Sequence, residues 1–401
     1  MDPPPDLLDS WKDIANHFGR TVRTVQRWEQ GCAMPVHRHG HRESSTVYAF
    51  RSELEAWWLS RDAREVFQPD AAALPPLRQG PTDVSPDDLY VMAKDEWNGR
   101  PLNGIRCSAA LAEQATKIDP GHGPSHAMLA QAGVVLATYN AEPAAPLMAK
   151  AREAALRAIE IDEELEDAHT ALGLIYLAAD WDWDASEQAC RRALEINPRN
   201  ATARSWLGLS RLTRGDFERA LIDVRRAEQL EPDSLIIRTH VGWFLYHMRR
   251  YSEALAQLER VMAIDPRYWR AYLNAAFCYI AVGRTDDALR SSEMALALND
   301  YTVLHAITAR VHAAAGRDDE ARAMLADAGA SGRYYSPYYL SHAWAALGEA
   351  GKASSELERS FRDREWHLLF MREDTALDTL RNHPTYDSIM GRIGFPSAVL
   401  R

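Results

Sequence analysis

Cysteine is scarce and scattered in this chain: Cys32, Cys107, Cys190 and Cys278 are the four in 401 residues, and no Cys-x-x-Cys pair occurs. That spacing indicates neither a disulfide framework nor a zinc knuckle, and buried, reduced thiols are the simpler reading. No uninterrupted apolar run reaches the ~20 residues that cross a bilayer. The start, Met1 to Asp6, is acidic and proline-rich rather than basic and then apolar, so a cytoplasmic protein with no membrane partner is expected. A Gly-rich phosphate loop, a His-Glu-x-x-His motif and a Gly-x-Ser-x-Gly elbow are all missing. Carboxylate pairs such as Asp182 with Asp184 and Asp286 with Asp287 read as helix-starting residues placed favourably on the helix dipole. A non-enzyme without a cofactor is the expectation. Broad positive charge is lacking too: the formal net charge is −11, which argues against coating nucleic acid or an anionic membrane over the whole surface.

What is present is unevenly distributed. Between Ser10 and Arg51 stand seven basic residues (Lys12, Arg20, Arg23, Arg27, Arg38, Arg42, Arg51) against three acidic ones (Asp13, Glu29, Glu43), a local balance of 7 − 3 = +4. Almost all the negative charge follows this segment, so the chain divides into a locally basic part and an acidic remainder. Its length allows two or three structural units.

Internal repetition is the strongest signal. Glu195-Ile-Asn-Pro198, Gln229-Leu-Glu-Pro232, Ala263-Ile-Asp-Pro266 and Ala297-Leu-Asn-Asp300 recur at a step of 34 residues. Within the period Leu207, Gly208, Phe217, Ala220, Ala227 and Pro232 are matched by Val241, Gly242, Tyr251, Ala254, Val261 and Pro266. Small residues let two antiparallel helices approach, a large one fills the space between hairpins, and the proline ends the second helix. This pattern is similar to the tetratricopeptide repeat. Fainter copies run from Leu89 to Pro120, from Gly121 to Asp162 with an insertion at Ala141 to Pro146 that predicts a longer loop, and from Glu166 to Pro198 with one extra residue within 180–185. Two more follow Asp300, around Gly316 with Ala321 and Gly348 with Ala353, and a closing helix is expected over Asp374 to Arg392.

The run Asp180-Trp-Asp-Trp-Asp184, the stretch Ser336-Pro-Tyr-Tyr339 and the ending Leu380-Arg-Asn-His-Pro-Thr-Tyr386 together resemble a bacterial family of tetratricopeptide proteins whose N-termini carry interchangeable signalling or DNA-binding modules. The resemblance covers roughly 87–396. It implies an α-solenoid whose concave face is lined by the first helix of each hairpin. On that register Trp243, Tyr246, His247, Arg270, Phe277, Tyr338 and His342 line the groove. They suit an extended protein or peptide partner with apolar anchors. The alternative is that these aromatics pack against a neighbouring helix or the chain's own tail.

At the other end, 10–29 reads as two short helices with a tight turn at Phe18-Gly19-Arg20. Ser10 with Asp13 forms a near-capping box and Thr21 caps the second helix. Ile14, Phe18, Val25 and Trp28 share a miniature core. Thr21-Val-Arg23 through Trp28-Glu29 resembles the recognition helix of the MerR and excisionase group of winged-helix proteins. In that resemblance Val36 to Arg42 is the wing, Thr46 to Phe50 its return strand, and Ser52 opens a further helix. It implies contact with double-stranded DNA: Arg23, Thr24, Gln26 and Arg27 reading base edges, Arg20, Arg38 and Arg42 on phosphates. His37, His39 and His41 alternate on one strand face, but no fourth metal ligand lies at a supporting spacing.

The fold expected is therefore predominantly all-α: a winged helix-turn-helix over 1–66, a proline-rich linker over 67–86, and a solenoid of hairpins over 87–396. The function expected is that of a DNA-binding transcriptional regulator whose solenoid engages a protein or senses a signal, with two copies able to join on a palindromic site. The other reading is an interaction scaffold in which the N-terminal module docks to protein.

Overall fold

The computed structural model describes residues 6–17, 22, 25–26, 29, 34–38, 47–54, 84–98 and 102–396. The chain divides into two units, Met1–Asp83 and Val84–Arg401.

In the first unit, β1 (Leu7–Leu8), α1 (Trp11–His17), β2 (His37–Arg38) and β3 (Val47–Phe50) follow in order. The three strands form an antiparallel sheet in the order β1-β3-β2, with Leu8 opposite Ala49 and His37 opposite Tyr48. Ser10 starts α1 as a near-capping box: its hydroxyl accepts from the Asp13 N–H at 3.2 Å and donates to the Asp13 carboxylate at 2.6 Å. Leu8, Ile14, Ala15, Val25, Met34, Ala49 and Leu54 make one small core. Ile14 and Val25 thus meet as expected, while Phe18 and Trp28 lie outside the described residues.

The second unit is eight helical hairpins. They are α2 (Pro86–Asn98) with α3 (Leu102–Ile118), α4 (Gly123–Thr138) with α5 (Ala144–Ile161), α6 (Glu166–Ile175) with α7 (Trp183–Ile196), and α8 (Ala201–Arg214) with α9 (Phe217–Leu230). Then come α10 (Leu235–His247) with α11 (Tyr251–Ile264), α12 (Trp269–Ala281) with α13 (Thr285–Leu298), α14 (Thr302–Ala314) with α15 (Asp318–Ala330), and α16 (Pro337–Ala346) with α17 (Ala350–Arg362). The chain ends in two 3-10 turns, Trp366–Phe370 and Thr375–Leu380, and α18 (Pro384–Ile393).

From α4 onwards the first helix of each hairpin is buried on most sides; α2 buries one face through Leu89, Ala93 and Trp97, as the second helices do. Close approach explains the small residues. A Cβ on Gly208 would stand 3.1 Å from the Ala220 carbonyl oxygen and 3.1 Å from the Phe244 ring. The turn between the two helices needs a left-handed residue, and it recurs in register at Trp181, Gly215, Arg249 and Gly283, all at positive φ.

One local expectation holds and two are corrected. The insertion around Ala141 does lengthen the loop: 139–143 separates α4 from α5, where 215–216 and 248–250 suffice in later hairpins, and Pro146 falls in the first turn of α5, where a missing N–H costs no helical bond. The extra residue expected within 180–185 is absorbed just upstream by a π-helical turn, Tyr176–Asp180, which keeps Trp181 in the glycine register. The closing helix is broken, because Asp374 caps a separate 3-10 turn and Pro384, at the first position of α18, starts a new helix.

Gly208→Val should destabilise the array by about 1–3 kcal/mol through overpacking. Gly329→Ala, in α15 where an added Cβ meets nothing within 4 Å, should be neutral or stabilising by up to ~1 kcal/mol. Urea unfolding midpoints of the two variants test this contrast.

Candidate functional site

The groove residues converge on a lumen, and the chain's own C-terminal segment fills it. After α17 the backbone turns at Arg364, whose φ of 52° is left-handed. Trp366, Leu368, Leu369, Phe370 and Met371 are then all buried. Phe370 packs on Trp243 (ring centres 4.7 Å apart) and stacks on His247 (4.4 Å). Trp366 meets Trp243 at 5.8 Å, and His367 lies against Tyr338 and Tyr339 at 5.8 and 4.9 Å.

Donors on this segment answer carbonyls at the inner ends of the first helices, which helix geometry leaves without partners. Trp366 Nε1 donates to the Thr138 oxygen at 3.1 Å, Arg364 Nε to the Ala179 oxygen at 3.0 Å, and Arg372 to the Thr213 oxygen at 3.4 Å. A cation there also suits the negative end of the helix dipole. Arg364 lies 4.3 Å from the centre of the Trp181 ring, and Asn140 Nδ2 is 2.8 Å from His367 Nδ1. Hairpins early in the array are thereby tied to its last segment.

The polar groups sealed in the lumen have displaced proton affinities. Burial pushes His247 and His342 down to about 4 and His367 to about 3, so all three are neutral near pH 7. Burial would raise Asp374, but His342, Arg310 and the Ala376 N–H outweigh it and hold the carboxyl at about 2. Its Oδ2 accepts from the Tyr338 hydroxyl at 2.9 Å, and its Oδ1 from the Ala376 N–H at 2.9 Å. Burial lifts Glu365 to about 7, although the Tyr338 N–H donates to it at 2.8 Å.

The structure brings six of the seven groove residues around one space: Trp243, Tyr246, His247 and Phe277 with Tyr338 and, beside it, His342. The seventh, Arg270, stacks over Tyr139 at 4.2 Å and Trp269 at 4.8 Å. None of the seven offers an open aromatic surface; the fill is Trp366, His367, Phe370 and Asp374. These four residues, and Arg310 on α14, were not singled out from the sequence. One signal did exist: Trp366-His-Leu-Leu-Phe-Met371 is an apolar run outside the 34-residue register.

In the N-terminal unit, Gln26 is helical and half-buried beside the core residue Val25. Arg38 stands exposed on β2, paired with Glu29 at 2.8 Å. Arg20, Arg23, Thr24, Arg27 and Arg42 lie outside the described residues. His37 contacts Glu53 at 2.6 Å, His39 and His41 lie outside the described residues, and no group of three metal-ligating side chains occurs among the described ones. Cys190 and Cys278 are buried thiols pushed up to about 12 by burial. No helix among the described residues is long and apolar enough to cross a membrane.

A tetratricopeptide repeat model matches residues 245–300. The repeat is matched there, and the hairpins on either side form a tetratricopeptide-like helical solenoid. The human IFIT1 dimer with m7Gppp-AAAA superposes with a TM-score of 0.54 at 14% identity, over 88% of this chain and 84% of that one, a likeness of fold alone. Among curated proteins, the prophage DNA-packing protein NohA of Escherichia coli is 30% identical over 110 residues, covering 26% of this chain and 57% of NohA. The type IV pilus assembly protein PilF of Pseudomonas aeruginosa is 30% identical over 141 residues, covering 34% of this chain and 55% of PilF. The chain spans between 10% and 59% of the other curated relatives it matches, which include mouse Superkiller complex protein 3.

Two outcomes follow for the tetratricopeptide array. Phe370→Ala should cost about 3–5 kcal/mol, the usual penalty for emptying an aromatic site, and chemical denaturation of full-length protein measures it. The second concerns pH. The three histidines have folded affinities below the unfolded value of 6.5, so their contribution is present above pH 6.5 and is lost as pH falls towards 4. Glu365 acts the other way: its folded affinity lies above the unfolded 4.5, so its contribution is lost as pH rises from 4.5 through 7. Three groups oppose one, so stability should fall from pH 6.5 to 4.5. Glu365→Gln should steepen that fall by removing the opposing group. Thermal unfolding across that range checks both.

Proposed function

We propose that this chain is a DNA-binding transcriptional regulator whose tetratricopeptide array engages a protein partner. The observation that supports the DNA part most directly is the N-terminal core. Ile14 of α1 and the helical residue Val25 pack with Ala49 of β3, and the paired strand β2 carries Arg38 at the surface. A recognition helix beside a two-stranded wing has this construction, in the segment where local charge is positive. The names of two similar curated proteins from E. coli, the DNA-packing protein NohA and the DNA-packaging protein NU1 homolog, fit the same chemistry. In this reading Arg23, Thr24, Gln26 and Arg27 read base edges, and Arg20, Arg38 and Arg42 hold phosphates. Two copies would occupy a palindromic site.

For the array, the proposed anchors are Trp243, Tyr246, His247, Arg270, Phe277, Tyr338 and His342. A peptide that takes this lumen must displace Trp366–Phe370, so a partner needs aromatic anchors of its own.

One observation favours a second reading, an interaction scaffold with a protein-docking N-terminal unit. Arg38 is already paired with Glu29, which diminishes its charge towards a phosphate.

Selection of bound fragments from random and genomic DNA by the full-length protein separates the two. The regulator reading expects an enriched motif that the Arg23→Ala, Arg27→Ala double variant loses. Arg38→Ala should weaken binding to all sequences alike. No enrichment at low salt with folded protein leaves the scaffold.

A further inference from the structure

One group in the lumen is left over by the packing around it. Arg310 is 4% exposed, and its guanidinium makes no hydrogen bond or ion pair with any described residue; its described neighbour is the Phe277 ring, 5.4 Å from centre to cation. Arginine does not shed its proton inside a protein, and a buried cation without an acceptor is strongly unfavourable. The guanidinium borders a cavity of about 20 Å³ between Trp243, Phe277 and Phe370, larger than the ~10–15 Å³ that one water-sized occupant needs. Asp374 is on the same wall, but its two oxygens accept from Tyr338 and the Ala376 N–H, and it makes no ion pair with Arg310. Two imidazoles are also short of hydrogen bonds: His247 at Nδ1, and His342, whose Nε2 lies 3.4 Å from Asp374 Oδ2 and would pair with it once protonated.

We propose that this cavity is a binding site for a small monovalent anion, of halide to formate size, held by Arg310. Its shape is set by aromatic walls and its depth by the C-terminal segment, so a divalent or larger anion does not fit while that segment is in place.

Charge balance adds a second property. Arg310 and Asp374 sum to zero, as do Arg270 and Glu365, whose charges also act on the lining residue Tyr339, so an anion leaves the lumen at −1 unless a proton enters with it. The acceptors are His247 on α10 and His342 on α16, with His367 of the C-terminal segment facing both. Glu365, lifted to about 7 and bonded to the Tyr338 N–H, is a further acceptor, and the hydroxyls of Tyr246, Tyr338 and Tyr339 stay neutral acids across the same range. Anion binding should therefore strengthen as pH falls.

The test uses the full-length protein and inorganic probes and does not depend on the DNA reading. Thermal unfolding is followed in sodium bromide, chloride or formate against sodium sulfate at matched ionic strength, at pH 8 and pH 6. The expected result is a saturable rise in Tm of roughly 2–4 °C with the three small anions. Sulfate should not produce it, pH 6 should enlarge it, and Arg310→Met should abolish it. An equal response in wild type and Arg310→Met overturns the proposal. Should that variant fail to fold, wild-type crystals soaked in bromide decide: an anomalous peak in reach of the Arg310 guanidinium supports the site, whereas a peak at the surface only, or water in the cavity, overturns it.

Discussion

The array depends on the insertion of 364–374 into its own lumen. A solenoid of hairpins is normally held by neighbour-to-neighbour burial, so that each repeat feels only the next. Here the segment after the last hairpin touches the inner ends of hairpins throughout the array: Thr138, Ala179 and Thr213 by hydrogen bonds, Trp243 and His247 by ring contacts. Those contacts join residues as far apart as Thr138 and Trp366. Loosening one hairpin therefore withdraws support from the others, and the unit gains a cooperativity that a linear stack of repeats lacks.

Insertion has an electrostatic cost, and the residues around it offset that cost in different ways. Carbonyls at helix ends are met by Arg364, Arg372 and the Trp366 indole. Asp374 keeps its charge because His342, Arg310 and the Ala376 N–H outweigh its burial, while His247, His342 and His367 are neutral near pH 7. Glu365 sits where its carboxyl meets the N–H of Tyr338 near the start of α16, a position that favours negative charge, yet burial still raises it to about 7. Neighbouring cationic groups, with one backbone hydrogen bond, set the state of the acid at 374, and desolvation dominates at 365.

The hairpins were legible because a 34-residue step with small residues at fixed offsets admits little else; Gly208 and Ala220 stand where the period puts them. The first-helix register brings six of the seven groove residues around one space, while Arg270 stands over Tyr139 and Trp269. The plug was not legible. Trp366 to Met371 follows no period, and its burial depends on carbonyls hundreds of residues away in sequence, which no local pattern encodes. The left-handed turn at Trp181 was not legible either. It occupies a position where Gly215 and Gly283 are used, and a left-handed tryptophan is held there by Phe361 and by Arg364 over its ring, both beyond the reach of local propensity.

The three stretches that carry the family resemblance fall into place on the same account. Trp181 and Trp183 face Phe361 and Phe395; Ser336 to Tyr338 meet Asn140, Glu365 and Asp374; the Tyr386 hydroxyl donates to the Met371 carbonyl at 2.9 Å, and Arg381 to that of Arg372. Trp181 and Trp183 stand one 34-residue step before Gly215 and Phe217, yet their ring partners lie at the C-terminal end of the array, as do Glu365, Asp374 and the Met371 and Arg372 carbonyls that the other two stretches meet. The residues that distinguish this array from a generic stack are thus those that close it. A closed lumen restricts what the concave face can do: an extended peptide needs the segment out, whereas a small ion does not. The closed form and any peptide-bound form are therefore competing states of one groove, and their balance is set by how well Trp366 and Phe370 fit Trp243 and His247 relative to the anchors of a partner.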